Sequence, residues 1–245
     1  MRHFLEFTVV RIVIAVFTTA LAGGLTAQFA SDHTHERFHA GWPRLCGAVA
    51  ALAAYALYVR IVERRPVAEL AGRQAPSELG LGLAGGAVLV GLVVGSLALT
   101  GAFRFEAINP GVNGLGVAFA QMVFVSVFEE LLTRAIVFRL LERSLGTWIA
   151  LGISSLLFGL AHLPGNSAGA LSITIAVVAG GFTTAYLVTR RLWLCIALHT
   201  GWNFTLGSIF SVAVSGHERT AGLLEGSLDG PNGSREVPMV WKRRS

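Results

Sequence analysis

Long apolar runs separated by short polar connections dominate this sequence. An α-helix needs about 20 apolar residues to cross a bilayer. The pattern predicts an all-α, polytopic transmembrane helical bundle of about seven spans, and it allows six to eight because the fifth run is short and interrupted by polar residues. The predicted spans are 9–30, 45–62, 79–103, 115–140, 148–163, 171–189 and 193–215.

The composition agrees with this pattern. Of 245 residues, 53% are hydrophobic and 13% are charged, and the mean hydropathy is +0.64, which excludes an ordinary water-soluble domain. The longest polar stretch is the C-terminal segment 216–245. We therefore predict a single integral-membrane domain over residues 1–245 with a polar tail at 216–245. The first run lacks a small-x-small cleavage site, so we expect it to be retained as a span.

Basic residues concentrate in alternate connections, and this predicts an orientation. By the positive-inside rule, the N-terminus and the even connections lie in the cytoplasm. The net charge of +5 then reflects membrane anchoring, and no basic stripe indicates a nucleic-acid partner. The arginine-rich, nearly lysine-free composition is typical of a bacterium, so the membrane is predicted to be the bacterial cytoplasmic (inner) membrane. The basic residues of the even connections are Arg60, Arg64, Arg65, Arg73, Arg139, Arg143, Arg190 and Arg191.

The motif Glu129-Glu130-x-x-x-Arg134 places three ionisable groups inside an apolar run. Each costs roughly 2.5–3.5 kcal/mol at membrane depth even on lenient insertion scales. Residues four apart share a helix face, so Glu130 and Arg134 are expected to pair, whereas Glu129 points elsewhere and is available for chemistry. The alternative is a structural Glu–Arg pair that fixes two helices.

Two further motifs repeat the spacing of four residues. They are Phe158-x-x-x-His162 and His199-x-x-x-Asn203. An imidazole and a carboxamide can donate hydrogen bonds without a permanent charge, as an oxyanion hole requires, but such groups also join helices in membranes. Because lipid offers polar groups no partner, we expect the residues of the three motifs to turn inward and form one internal site.

The three motifs in this order resemble the CPBP family of intramembrane glutamic endopeptidases, which includes the type II CAAX prenyl endopeptidases and bacteriocin-processing or immunity proteins. The resemblance covers a motif-bearing core at about 115–210. It implies a metal-independent endopeptidase that acts on a membrane-associated peptide or protein and needs no cofactor.

The resemblance also implies a role for each motif residue. Glu129 matches the catalytic glutamate, and His162 the histidine that helps it to activate water. His199 and Asn203 match the pair proposed to hold the oxyanion. The supporting positions are Glu130, Arg134 and Phe158.

Other functions stay open at this stage. A buried Glu/Arg/His set also suits a proton-coupled transporter, and an immunity or binding factor is a further non-hydrolytic alternative. His35-Glu36-x-x-His39, with His33 nearby, matches a zinc metalloprotease pattern, but its short polar loop leaves little room for supporting residues. Gly91-x-x-x-Gly95 allows a homodimer through close helix packing.

Overall fold

The computed structural model describes residues 7–34, 41–162, 181–212, 214 and 222–228. The helices are α1 (Thr8–Asp32), α2 (Trp42–Tyr58), α3 (Ala75–Leu99), α4 (Leu115–Glu130), α5 (Arg139–Leu145), α6 (Thr147–Ala161), α7 (Thr183–Thr189) and α8 (Leu192–Phe204). Segments of π-helix follow α2 at Val59–Glu63 and α8 at Thr205–Ile209, and a third joins α4 to α5 at Leu131–Phe138. A short 3-10 helix covers Ala68–Leu70.

The predicted all-α membrane-type bundle is confirmed. In the described part of the chain, four helical stretches are long and apolar enough to cross a membrane: Thr8–Asp32, Trp42–Glu63, Ala75–Leu99 and Leu115–Leu145. The helix α6 is apolar but shorter. Helix also covers residues 181–189 of the sixth predicted span and 193–209 of the seventh, and residues 171–180 of the sixth span lie outside the described residues.

Two predicted spans extend too far. The third was expected to reach residue 103, but α3 ends at Leu99 and the chain turns at Gly101, whose φ of +76° favours glycine. The seventh was expected to reach residue 215, but its helix ends at Ile209. Apolar composition continues past both ends, so hydropathy alone does not locate the turns.

A small antiparallel sheet follows α3, and the sequence pattern did not predict it. Strand β1 (Phe103–Ile108) pairs with strand β2 (Leu224–Leu228), with Phe103 opposite Leu228. A side chain at Gly226 would lie 2.3 Å from the ring of Phe103, so glycine is required there. Strand β2 belongs to the predicted polar tail, most of which lies outside the described residues.

Helices α3 and α8 pack with their backbones in direct contact. A Cβ added at Gly86 would lie 2.3 Å from the carbonyl oxygen of Leu198, and one at Gly201 would lie 2.4 Å from that of Leu83. Small residues let helices approach this closely in lipid, where van der Waals packing drives association. Gly91 and Gly95 have nothing within 4 Å of an added Cβ, so they lie outside this contact, and the homodimer stays a prediction.

Ion pairs join the connections at one end of the bundle. Glu63 pairs with Arg139 at 2.5 Å and with Arg65 at 2.6 Å, and Glu69 accepts hydrogen bonds from Arg65 and Tyr55. Burial opposes ionisation of Glu69, but these hydrogen bonds outweigh it and hold the pKa of its carboxyl below the usual value.

The same end of the bundle holds the N-terminal end of α1 and the sixth connection. Thr8 at the start of α1 hydrogen-bonds Ser144 near the end of α5, with 2.6 Å between the hydroxyl oxygens. Arg190 bonds Glu142 at 2.6 Å, so the connection after α7 also lies close to α5. The N-terminal end of α1 and the predicted even connections therefore share one side of the bundle.

Candidate active site

The two adjacent glutamates lie where α4 changes into π-helix. Glu130 is the last residue of α4, and the π-helix continues from Leu131 to Phe138. Glu130 Oε1 lies 2.9 Å from an Nη atom of Arg134, and both side chains are completely buried. This is the contact that the spacing of four residues predicts. Local π-helix inside an α-helix occurs frequently at functional sites.

Glu129 lies between two imidazole rings. Its Oε1 atom is 3.7 Å from His162 Nε2, and its Oε2 atom is 3.5 Å from His199 Nε2. His162 is at the C-terminal end of α6 and His199 lies within α8. Three helices that are distant in sequence therefore bring one carboxylate and two imidazoles together.

The hydrogen bond of His162 to its own helix fixes the direction of its ring. Its Nδ1 atom is 2.8 Å from the carbonyl oxygen of Phe158. A carbonyl oxygen only accepts, so Nδ1 carries the hydrogen and Nε2 is directed towards Glu129. The side chains of Glu129 and His162 are 20% and 14% exposed, whereas Glu130 is completely buried. Glu129 and His162 are thus the partly exposed side of the cluster.

His199 connects the two glutamates. While Nε2 faces Glu129, its Nδ1 atom lies 2.7 Å from Glu130 Oε1. Glu130 therefore contacts both Arg134 and His199, and it orients a ring of the site as well as pairing on its own helix. Sequence reasoning missed this second contact, because it joins positions far apart in the chain and no local spacing signals it.

Asn203 lies one helical turn after His199 and is 3% exposed. Its Nδ2 atom is buried and makes no hydrogen bond within the described residues, and the same holds for Glu129 Oε2. A buried polar atom without a hydrogen bond costs about 1–3 kcal/mol. Glu130 Oε2 also lacks a hydrogen-bond partner among the described residues. This part of the fold therefore keeps a donor at Asn203 and acceptors at Glu129 and Glu130 available to a bound group.

Two phenyl rings enclose the charged groups. Phe158 stacks on His162 with ring centroids 4.3 Å apart, and Phe182 stacks on His199 at 4.7 Å. The guanidinium carbon of Arg134 lies 5.6 Å from the centroid of each phenyl ring, within cation–π range. Phe158 belongs to a predicted motif, but Phe182 was not predicted, because no histidine or charged residue lies four positions from it.

Comparison with known families is informative for the segment that holds this cluster. Residues 111–205 match a family model described as type II CAAX prenyl endopeptidase Rce1-like. This confirms the predicted resemblance to the CPBP family. The match covers less than half of the chain and indicates an intramembrane endopeptidase of the CAAX protease type. Neither the curated proteins nor the solved structures that were compared gave a match.

The Rce1-like segment contains every residue of the three motifs and also Phe182. It begins just before α4 and ends at the first residue of the π-helix that follows α8. The strands β1 and β2 and the helices α1 to α3 lie outside it, although α3 packs directly against α8. The N-terminal helices thus support the Rce1-like segment without contributing a motif of their own.

Among the described residues, no three His, Cys, Asp or Glu side chains are arranged to hold a metal ion. The zinc pattern His35-Glu36-x-x-His39 lies outside the described residues. His33, the additional ligand suggested for that pattern, directly follows α1, and its Nδ1 atom lies 2.8 Å from the carbonyl oxygen of Phe29.

Proposed function

We propose that this protein is an integral-membrane endopeptidase in which Glu129 and His162 activate a water molecule. The observation that carries the proposal is the position of the Glu129 carboxylate, 3.7 Å from His162 Nε2 and 3.5 Å from His199 Nε2. A water molecule that lies beside the Glu129–His162 pair can contact both the carboxylate oxygen and Nε2. The partial exposure of both side chains supports access of that water.

The proposed reaction begins with attack of the water oxygen on the carbonyl carbon of the scissile peptide bond. Glu129 accepts the proton that the water loses, and His162 orients the water through Nε2. The tetrahedral intermediate that forms carries a negatively charged oxygen. When the intermediate collapses, the C–N bond breaks and the proton passes from Glu129 to the leaving amine.

The proposed donors to the negative oxygen are His199 Nε2 and Asn203 Nδ2. His199 Nε2 carries a hydrogen when one proton is shared between its Nδ1 atom and Glu130 Oε1, which are 2.7 Å apart. The open Nδ2 donor of Asn203 supports its assignment. Donors that are fixed before the reaction stabilise developing charge strongly because the protein does not reorganise.

Glu130 and Arg134 act as positioning residues in this proposal. Arg134 holds one oxygen of Glu130 at 2.9 Å, and the same oxygen contacts His199 Nδ1. This chain of contacts fixes the direction of the imidazole, as a carboxylate does for a catalytic or metal-binding histidine elsewhere.

The test is cleavage by purified protein in detergent or liposomes. Candidate substrates come from comparing membrane-protein termini in cells with wild type and with Glu129→Gln, and CAAX-type peptides are assayed with and without a prenyl group. We expect Glu129→Gln, Glu129→Ala and His162→Ala to abolish cleavage. We expect Asn203→Ala to lower kcat by about 10²–10³.

The matched control is Glu142→Gln, which removes a glutamate that pairs with Arg190 outside the site and should leave kcat unchanged. Unchanged turnover in Glu129→Ala would contradict the glutamate mechanism. Loss of wild-type activity on chelation, or in His35→Ala, would favour the zinc alternative. Solute transport by a wild type that cleaves nothing would favour the transporter.

The orientation belongs to the same proposal. The basic even connections share one side of the bundle with the start of α1, and we assign that side to the cytoplasm of a bacterial inner membrane. Cysteine substitutions at Arg64 and Asn113 test this assignment with a thiol reagent that does not cross membranes. In intact cells, Asn113→Cys should react and Arg64→Cys should not, and the reverse pattern would invert the topology.

A further inference from the structure

Phe182 is joined to His199 by ring stacking. The ring centroids are 4.7 Å apart with an angle of 25° between the planes, and Phe182 is 3% exposed. The arrangement matches that of Phe158 on His162, where the values are 4.3 Å and 30°. Each imidazole of the site therefore stacks on one phenyl ring, and His199 also meets Phe158 in a T-shaped contact at 6.5 Å. Of the two stacked phenyl rings, only Phe158 belongs to a sequence motif.

Phe182 also completes a cycle of contacts with Arg134, Glu130 and His199. Its face lies 5.6 Å from the guanidinium carbon of Arg134, Arg134 bonds Glu130, and Glu130 contacts His199 Nδ1. His199 in turn stacks on Phe182. A ring that contacts both a cation and an imidazole has little freedom to turn.

The backbone of Phe182 is anchored to the helix that carries His199. Phe182 directly precedes α7, and its carbonyl oxygen lies 3.5 Å from the Sγ atom of Cys195, which can donate its S–H hydrogen. Cys195 is one turn before His199 on α8. The phenyl ring is therefore placed relative to the imidazole by a backbone contact as well as by its own packing.

We propose that Phe182 is a positioning residue for His199, and that its stacked ring keeps Nδ1 on Glu130 and Nε2 on Glu129. The Nδ1 contact fixes one edge of the imidazole but leaves rotation about that contact, and a flat apolar surface restricts this rotation. The inference rests on the proposed function for its catalytic consequence but not for the position of the ring.

The experiment compares Phe182→Leu, which removes the ring, with Phe182→Tyr, which keeps it. The matched control is Phe138→Leu, since Phe138 is completely buried and its T-shaped ring contact is with Tyr186 and not with a histidine. We expect Phe182→Leu to lower kcat by about 10–100-fold with little change in KM, because small misplacements of catalytic groups have effects of this size.

We expect Phe182→Tyr to restore kcat, and Phe138→Leu to lower thermal stability without changing kcat of the folded protein. Wild-type kcat in folded Phe182→Leu would overturn the inference. Equal loss of kcat in Phe182→Leu and Phe138→Leu would also overturn it, because the ring would then act only through packing. If Phe182→Leu does not fold, Phe182→Met replaces it.

A spectroscopic readout separates this inference from the proposed function. The ring current of a stacked phenyl shifts the NMR signals of the imidazole protons upfield. In protein with isotope-labelled histidine, assigned with His199→Gln, we expect Phe182→Leu to abolish this shift for His199 and Phe138→Leu to preserve it. An unchanged His199 signal in Phe182→Leu would overturn the positioning role even in an active enzyme. Wild type without peptidase activity would instead contradict the proposed function.

Discussion

Removal of Arg134 should destabilise the fold as well as stop turnover. Arg134→Ala leaves the Glu130 carboxylate completely buried without the cation that accompanies it. The substitution also empties the space between the rings of Phe158 and Phe182, each 5.6 Å from the guanidinium carbon. The change therefore removes a charge and the packing around it together.

The magnitude follows from these contacts. Removing one partner of a buried ion pair costs about 3–5 kcal/mol, since it leaves an uncompensated charge. Each desolvated cation–π contact contributes up to about 2 kcal/mol, but these terms overlap with the first and are not added to it. We therefore expect a loss of about 3–5 kcal/mol in the free energy of unfolding, which corresponds to a fall in Tm on the order of 10 °C.

The measurement is thermal unfolding of purified protein in one detergent, together with the folded yield from membranes. The control is the double variant Glu130→Gln/Arg134→Met, which removes both charges and keeps similar side-chain volumes. Neutral replacement of a buried ion pair is often tolerated, and the glutamine carbonyl still accepts a hydrogen bond from His199. We expect this variant to regain most of the stability while its kcat stays low.

Two results would refute this reasoning. A normal Tm for Arg134→Ala with lost turnover would show that Arg134 acts in the chemistry and does not stabilise the fold. Equal destabilisation of the double variant would show that packing between the phenyl rings, rather than the buried charge of Glu130, sets the cost.

Two further predictions concern the scaffold. Gly86→Ala should lower Tm strongly, because its Cβ would lie 2.3 Å from the backbone oxygen of Leu198. The control Gly91→Ala has nothing within 4 Å of its Cβ and should change the free energy of unfolding by less than about 1 kcal/mol. Equal effects of the two substitutions in thermal unfolding would contradict the close contact of α3 and α8. The lowered pKa of Glu69 means that its ionised form stabilises the folded state above an unfolded-state pKa of about 4.3, and that this contribution is lost as pH falls through the lower folded-state pKa. Thermal unfolding from pH 7 to pH 3 should therefore show a smaller acid loss for Glu69→Gln than for wild type, and parallel curves would contradict the assignment.

Local periodicity accounts for the parts of the fold that the sequence predicts. A span is a run of neighbouring apolar residues, and the pair Glu130–Arg134 is one helical turn, so each can be read from residues close in the chain. The contact of Glu130 with His199 joins α4 to α8, and the position of Phe182 depends on how α7 packs against α8. No short spacing carries that information.

The small sheet is a second feature that local sequence patterns do not predict. Strand β1 is buried only at Phe103 and exposed elsewhere, so it lacks the regular alternation of a half-buried strand. Its partner β2 is contributed from residues more than a hundred positions later, and Gly226 allows the close approach of Phe103. Pairing between such distant segments is set by the packed helices between them and not by either strand alone.

The structure shows that the adjacent glutamates Glu129 and Glu130 are connected, although the sequence suggested that they have separate roles. On a helix, neighbouring residues point about 100° apart, and this suggested a structural Glu130 and a separate, chemical Glu129. The ring of His199 spans that angle, with Nδ1 at Glu130 and Nε2 at Glu129. A change in the protonation of one carboxylate therefore changes the electrostatic environment of the other, because both contact the same imidazole. Glu130 and Arg134 thus form a buried ion pair and Glu130 also contacts His199, so under the proposed mechanism stability and chemistry depend on the same contacts.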